Sequence, residues 1–167
     1  MGIEIERKFL VVGDAWRAHA VKSARMIQGY LNDMASMRSG SQKVSVRVRI
    51  AGESAFLNIK SRELGHTRQE FEYQIPVADA QDLLALGVGG LIDKTRNDVR
   101  HAGFLWEVDE FHGENAGLVV AEIELPSADT VFDKPDWAGR EVTDDLRYYN
   151  LALADRPYSR WTPEEKL

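Results

Sequence analysis

The sequence predicts an α+β protein built on a closed, eight-stranded antiparallel β-barrel with a few short helices packed outside. Three observations carry this prediction. Period-2 alternation, which marks a strand with two unlike faces, recurs in eight segments. Short turn-forming stretches such as Ala51-Gly52-Glu53 and Ala102-Gly103 separate several of them, as antiparallel hairpins require. Helical patterns are fewer and shorter, so a strand set of this size has to dispose of its edges, and closure into a barrel removes them.

The predicted strands cover residues 2–10, 25–32, 43–51, 54–62, 67–76, 91–101, 104–112 and 117–126. Helical spacing is confined to 14–20, to 78–86 with Asp79 near its start and Gly87 after its end, and to 144–154, ahead of a tail over 155–167. The stretch 32–42, rich in Ser, Met and Gly, reads as a flexible loop carrying Met34 and Met37, and Gly87-Val88-Gly89-Gly90 reads as a turn, because a phosphate-binding loop would need a following Lys-Ser/Thr. With 167 residues, no internal repeat and no linker, the chain is read as one domain spanning 1–167.

Composition narrows the function classes. Hydrophobic residues make up 44% and charged residues 29%, too apolar for a disordered chain and too charged for a membrane protein. No run approaches the roughly 18 apolar residues of a membrane span. The charged start Met-Gly-Ile-Glu-Ile-Glu-Arg-Lys lacks an export signal's apolar run, so a cytoplasmic location is expected. The absence of cysteine excludes disulfides and thiolate zinc sites, and His19, His66, His101 and His112 have no metal-ligand spacing. A net charge of -6 argues against nucleic acid as a partner, although it does not report on an interior lining.

Sorting the strands by parity reveals such a lining. Glu4, Glu6 and Lys8 share one face of the first strand, and Ile3, Ile5 and Phe9 share the other. The same split places Arg47 and Arg49, Lys60, the trio Arg68, Glu70 and Glu72, then Lys94 and Arg96, Glu107 and Asp109, and Glu122 and Glu124 on the charged face: seven basic and eight acidic groups. A solvated face of cross-strand ion pairs is the plain alternative. It does not explain why like charges recur two residues apart, as in Glu4/Glu6, Arg47/Arg49 and Glu122/Glu124. Barrel closure makes the first and eighth strands neighbours, and their two acidic pairs then form an all-oxygen set suited to Mg²⁺ or Mn²⁺. The surrounding Arg and Lys side chains suit a ligand bearing several phosphates.

The stretch Ile3-Glu4-Ile5-Glu6-Arg7-Lys8-Phe9-Leu10 resembles the N-terminal ExExK signature of the CYTH, or triphosphate tunnel metalloenzyme, family. Val46-Arg47-Val48-Arg49-Ile50, Leu57-Asn58-Ile59-Lys60-Ser61, Arg68-Gln69-Glu70-Phe71-Glu72-Tyr73, Lys94-Thr95-Arg96, Trp106-Glu107-Val108-Asp109 and Ala121-Glu122-Ile123-Glu124-Leu125 follow in the family's order. The resemblance implies an eight-stranded tunnel in which Glu4, Glu6, Asp109, Glu122 and Glu124 hold divalent metal, while Lys8, Arg47, Arg49, Lys60, Lys94 and Arg96 hold a triphosphate. Glu4, Glu6 and Lys8 are the expected catalytic residues, with Lys8 acting electrostatically because its carboxylate neighbours favour the charged form. Short bacterial members often carry lysines near the C-terminus; Leu146, Tyr149 and Leu151 depart from that pattern, leaving Arg147 as the expected basic contributor.

The family tunnel is associated with hydrolysis of inorganic or thiamine triphosphate, RNA 5′-triphosphate removal and cyclic AMP formation. Likeness to the short bacterial members favours an inorganic triphosphatase, with a non-catalytic polyphosphate or nucleotide sensor as the alternative from another class. Three short helices do not cover the outside of eight strands, which predicts a homodimer.

Overall fold

A computed structural model describes residues 2–61 and 67–166. Arg62, the expected end of the fourth strand, and His66 lie outside the described residues. The strands are β1 (Gly2–Val11), β2 (Ala20–Tyr30), β3 (Val44–Ala51), β4 (Ser54–Ser61), β5 (Thr67–Ile75), β6 (Val88–His101), β7 (Phe104–Phe111), β8 (Val119–Glu124) and β9 (Ala138–Glu141). The helices are α1 (Met34–Ser39), α2 (Val77–Ala85) and α3 (Asn150–Asp155).

The strand order is β5-β4-β3-β2-β6-β7-β8-β1-β9, and an additional antiparallel β1–β5 pairing closes eight strands into the expected barrel. Closure occupies only the first half of β1, where Gly2 to Ile5 face Glu70 to Thr67. The second half of the same edge is taken by β9, whose pairing joins Phe9 to Glu141 and Val11 to Ala138. A strand of four residues with no alternating pattern left no sequence signal.

The outward side chains form two shells. Phe9, Trp106, Val108, Ala121 and Ile123 pack under Trp16, Phe132 and Trp137, which arrive on the 3₁₀ turn Ala15–His19 and on the chain between β8 and β9. Val48 and Ala55 pack under Ala80, Leu83 and Leu84 of α2. Toward one end of the barrel the inward positions themselves become apolar. There Tyr30, Ile92, Phe111 and Val120 join Met34 and Met37 of α1 and Leu151 and Leu153 of α3 in a single buried cluster.

Three local expectations are corrected. Residues 34–39 are helical, not a flexible loop: Asp33 caps the first turn by accepting from Ser36 N–H at 2.8 Å, and Gly40 ends it with φ +77°. Met34 and Met37 are accordingly buried. The turn read into residues 87–90 is confined to the link before Val88, since Val88 to Gly90 already belong to β6. Gly89 is required there because its φ is +75° and a Cβ would meet the Ala154 carbonyl oxygen at 2.9 Å. The helix expected over 144–154 divides into a 3₁₀ turn at Leu146–Tyr148 and α3. None of the helices among the described residues is long and apolar enough to cross a membrane.

Candidate active site in the barrel lumen

Antiparallel registration assembles the charged residues. β8 places Glu124 opposite Glu6 and Glu122 opposite Lys8, β7 places Glu107 opposite Glu122, and β6 places Arg96 opposite Asp109. On neighbouring strands further round the wall, β5 places Glu70 opposite Lys60 and Arg68 opposite Glu4. The result is one cavity of about 370 Å³. Seven carboxylates line it, Glu4, Glu6, Glu70, Glu72, Glu107, Glu122 and Glu124, together with eight cations, Lys8, Arg38, Arg47, Arg49, Lys60, Arg68, Lys94 and Arg96.

These groups neutralise one another across strands. Lys8 meets Glu122 at 2.8 Å, Lys60 meets Glu4 at 2.9 Å, and Arg68 pairs with Glu6. Arg96 reaches Glu107 at 2.6 Å and Glu122 at 3.3 Å. Arg49 meets Glu72 at 3.1 Å, while Arg47 approaches Glu70 only to 4.0 Å. Among the described residues, the Nε atoms of Arg47 and Arg49 are buried without a hydrogen-bond partner. Buried guanidinium donors of this kind cost free energy unless an acceptor arrives, and phosphate oxygen is the acceptor their fork geometry fits.

Burial and charge act in opposite directions on the key groups. Burial works against the charge of Lys8, but Glu122 and Glu6 outweigh it and hold the ammonium above the ordinary lysine value. Glu122 is likewise buried, yet Lys8, Arg96 and Lys94 hold it well below the usual carboxylate range. Glu6 is pushed up, first by burial and then by Glu122, with Lys60, Arg68 and Lys8 only partly compensating. Burial brings Lys94 down to about 8 despite the opposing pull of Asp109.

Ten of the residues proposed from sequence therefore share the lumen: Glu4, Glu6, Lys8, Arg47, Arg49, Lys60, Lys94, Arg96, Glu122 and Glu124. Two are not brought to it. Asp109 is 1% exposed and lies behind the lining, accepting from Lys94 at 2.6 Å and from Arg96 at 2.7 Å. Arg147 lies outside, where Asp145 holds its guanidinium at 2.6 Å and the Tyr148 and Trp161 rings flank it. Conversely, Arg68, Glu70, Glu72 and Glu107 had the right parity without an assigned role. Arg38, Tyr149 and Asn150 enter from segments with no strand alternation, so parity could not find them. Asn150 Oδ1 accepts from Lys94 Nζ at 3.2 Å and from Gln28 Nε2 at 3.1 Å.

Among the described residues no three carboxylate or imidazole groups converge closely enough to enclose a metal ion. The reason is visible in the pairing, since Glu4, Glu6 and Glu122 are each turned onto a lumen cation. The donor set still fits a hard divalent cation: it is all oxygen, it comes from two adjacent strands, and the raised Glu6 is relieved by positive charge beside it.

Comparison with known proteins agrees with this architecture. A protein of Acetivibrio thermocellus named inorganic triphosphatase is 46% identical over 96% of this chain and 99% of its own length. One of Nitrosomonas europaea with the same name is 39% identical over 90% of this chain and 96% of its own. The crystal structure of an inorganic triphosphatase superposes with a TM-score of 0.64 at 35% identity, covering 92% of this chain and 95% of that one. The CYTH domain model matches residues 2–158, and the chain belongs to the CYTH domain family.

Proposed function

We propose that this protein hydrolyses inorganic triphosphate to pyrophosphate and phosphate within the barrel lumen, with Mg²⁺ or Mn²⁺ bound beside the substrate. The observation that carries the reading is the set of lumen charges paired with one another and, at Arg47 and Arg49, left with unused donors. A phosphate chain accompanied by divalent cation permits an exchange of partners. Lys60, Arg68 and Lys8 would turn from Glu4, Glu6 and Glu122 to phosphate oxygens, leaving those carboxylates free to hold the cation, so the number of opposite-charge contacts would be kept. The names of the two close relatives support inorganic triphosphate as the substrate.

Glu4, Glu6, Glu122 and Glu124 are the residues proposed to hold the cation, which when bound would offset phosphate charge and acidify water. Arg47, Arg49, Lys60 and Arg96 orient the phosphate chain. Water attacks the terminal phosphorus in line with the bridging oxygen, that P–O bond breaks, and pyrophosphate leaves with one proton of the water on its freed oxygen. Lys8, kept charged by Glu122 and Glu6, stabilises negative charge on the transferring phosphoryl group rather than taking a proton. Asp109 holds Lys94 and Arg96 in place from behind. A homodimer belongs to the same reading, supported by outward Ile3 and Tyr73, which stay exposed on β1 and β5.

The test is a substrate panel with Mg²⁺ or Mn²⁺: inorganic triphosphate, ATP, thiamine triphosphate and pyrophosphate, following phosphate and cyclic AMP together. Preferential release of phosphate from inorganic triphosphate is the expected result. Cyclic AMP from ATP would replace the reading with a cyclase, and binding without turnover would replace it with a sensor.

A further inference from the structure

The two ends of the lumen differ. Glu72 and Glu107 side chains are 41% and 39% exposed at one end, together with exposed Glu124. Toward the other end the inward positions turn apolar, and the chain following β9 supplies Val142, Tyr148, Leu151 and Leu153 to that buried cluster. Val142 N–H donates to the Lys8 carbonyl at 2.8 Å, Lys8 N–H donates to Thr143 Oγ1 at 3.0 Å, and the Tyr149 hydroxyl donates to the Thr143 carbonyl at 2.8 Å. These bonds fix the Tyr149 ring against the residue it faces. Its centroid lies 4.8 Å from Lys8 Nζ and 5.1 Å from the Arg68 guanidinium carbon, and the ring lines the cavity.

Such a ring accepts cations on its electron-rich face and offers an anion nothing, because its one donor is already committed to Thr143. The ring therefore blocks phosphate from Lys8 and Arg68 on the side that it covers. A phosphate chain longer than the lined segment has two ways to fit, and both are unfavourable: it drives its inner end into the ring, or it leaves its outer end among Glu72, Glu107 and Glu124, where like charges repel.

We propose that Tyr149 is a specificity-determining stop that ends the phosphate path at Lys8 and Arg68 and so selects linear inorganic triphosphate over longer linear phosphates. This rests on the triphosphatase reading given above. The decisive experiment measures kcat/KM for inorganic triphosphate and linear tetraphosphate in the wild type, Tyr149→Phe and Tyr149→Ala. Tyr149→Phe keeps the ring and is expected to keep the wild-type ratio of the two substrates. Tyr149→Ala is expected to shift that ratio toward tetraphosphate by roughly tenfold or more. A merely structural role would lower both substrates together and leave the ratio unchanged, which would overturn the stop while leaving the triphosphatase reading intact. Absence of turnover in the wild type would overturn both. Should Tyr149→Ala not fold, Tyr149→Leu carries the same expectation in reduced size, and an unchanged ratio there overturns the proposal equally.

Discussion

The two ends of the barrel are built from the same inward-facing positions of the same strands, yet one is a hydrophobic core and the other a charged site. Along β1 the inward series passes from Glu4, Glu6 and Lys8 to Leu10, and along β6 from Arg96 and Lys94 to buried Ile92. Along β7 and β8 it passes from Asp109 to Phe111 and from Glu122 to Val120. Parity decides which face a residue occupies; position along the strand decides whether that face meets ligand or packing. The apolar end supplies cohesion, and it allows the rest of the lumen to hold charges that contribute little stability of their own.

The sharpest way to break this division is at its boundary. Asp109 is buried with Lys94 and Arg96, so Asp109→Asn leaves two buried cations short of their carboxylate and should cost about 3–5 kcal/mol, read from urea unfolding. A cost below about 1 kcal/mol would show that Glu107 and Glu122 suffice to hold Arg96.

Within the charged region, Lys8→Met should lower kcat for inorganic triphosphate by about 10²–10³-fold, the usual consequence of removing one preorganised stabiliser of transition-state charge. Near-normal turnover at saturating substrate would remove Lys8 from the chemistry.

At the apolar end, Leu153 is 1% exposed and its side chain does not itself line the cavity, so Leu153→Ala should cost about 2–5 kcal/mol of stability with turnover of the folded enzyme retained. Loss of turnover in folded Leu153→Ala would show that the two ends are not separable.

The smallest effect is a pH dependence. Lys94 is brought down to about 8 from an ordinary 10.5, so between these values the unfolded chain binds more protons than the folded one. Stability contributed through this group therefore rises with pH across that window. Lys8, held above the ordinary value, contributes in the opposite sense only at higher pH. Unfolding of the wild type and Lys94→Met between about pH 8 and pH 10 should show the more positive slope in the wild type. Equal slopes would mean that Lys94 keeps its proton throughout.

The comparison also explains what could be seen in the sequence. The barrel was legible because each wall strand alternates, and the clustered like charges at Glu4/Glu6 and Glu122/Glu124 marked the lumen face as more than a solvated surface. Depth was not legible. Asp109 has the parity of a lining residue, but it is buried in its pairs with Lys94 and Arg96 and does not line the cavity. Arg147 carries the right charge on a segment without periodicity, where aromatic flanks and Asp145 decided its position. The helix at α1 could have been found from Asp33 as cap and Gly40 as stop, had those signals been weighed above the Ser-rich composition. Tyr149 could not, because its position depends on two long-range hydrogen bonds joining β1 to the chain after β9 and on a third from its own hydroxyl to the Thr143 carbonyl.

The central claim is that the lumen carboxylates and cations act together on an inorganic triphosphate. Steady-state phosphate release from inorganic triphosphate, with and without Mg²⁺, by the wild type beside Glu6→Gln tests it most directly. The account predicts metal-dependent turnover in the wild type and a loss of at least about 100-fold in Glu6→Gln. A wild type that is inert with metal, or a Glu6→Gln variant as active as the wild type, would contradict it.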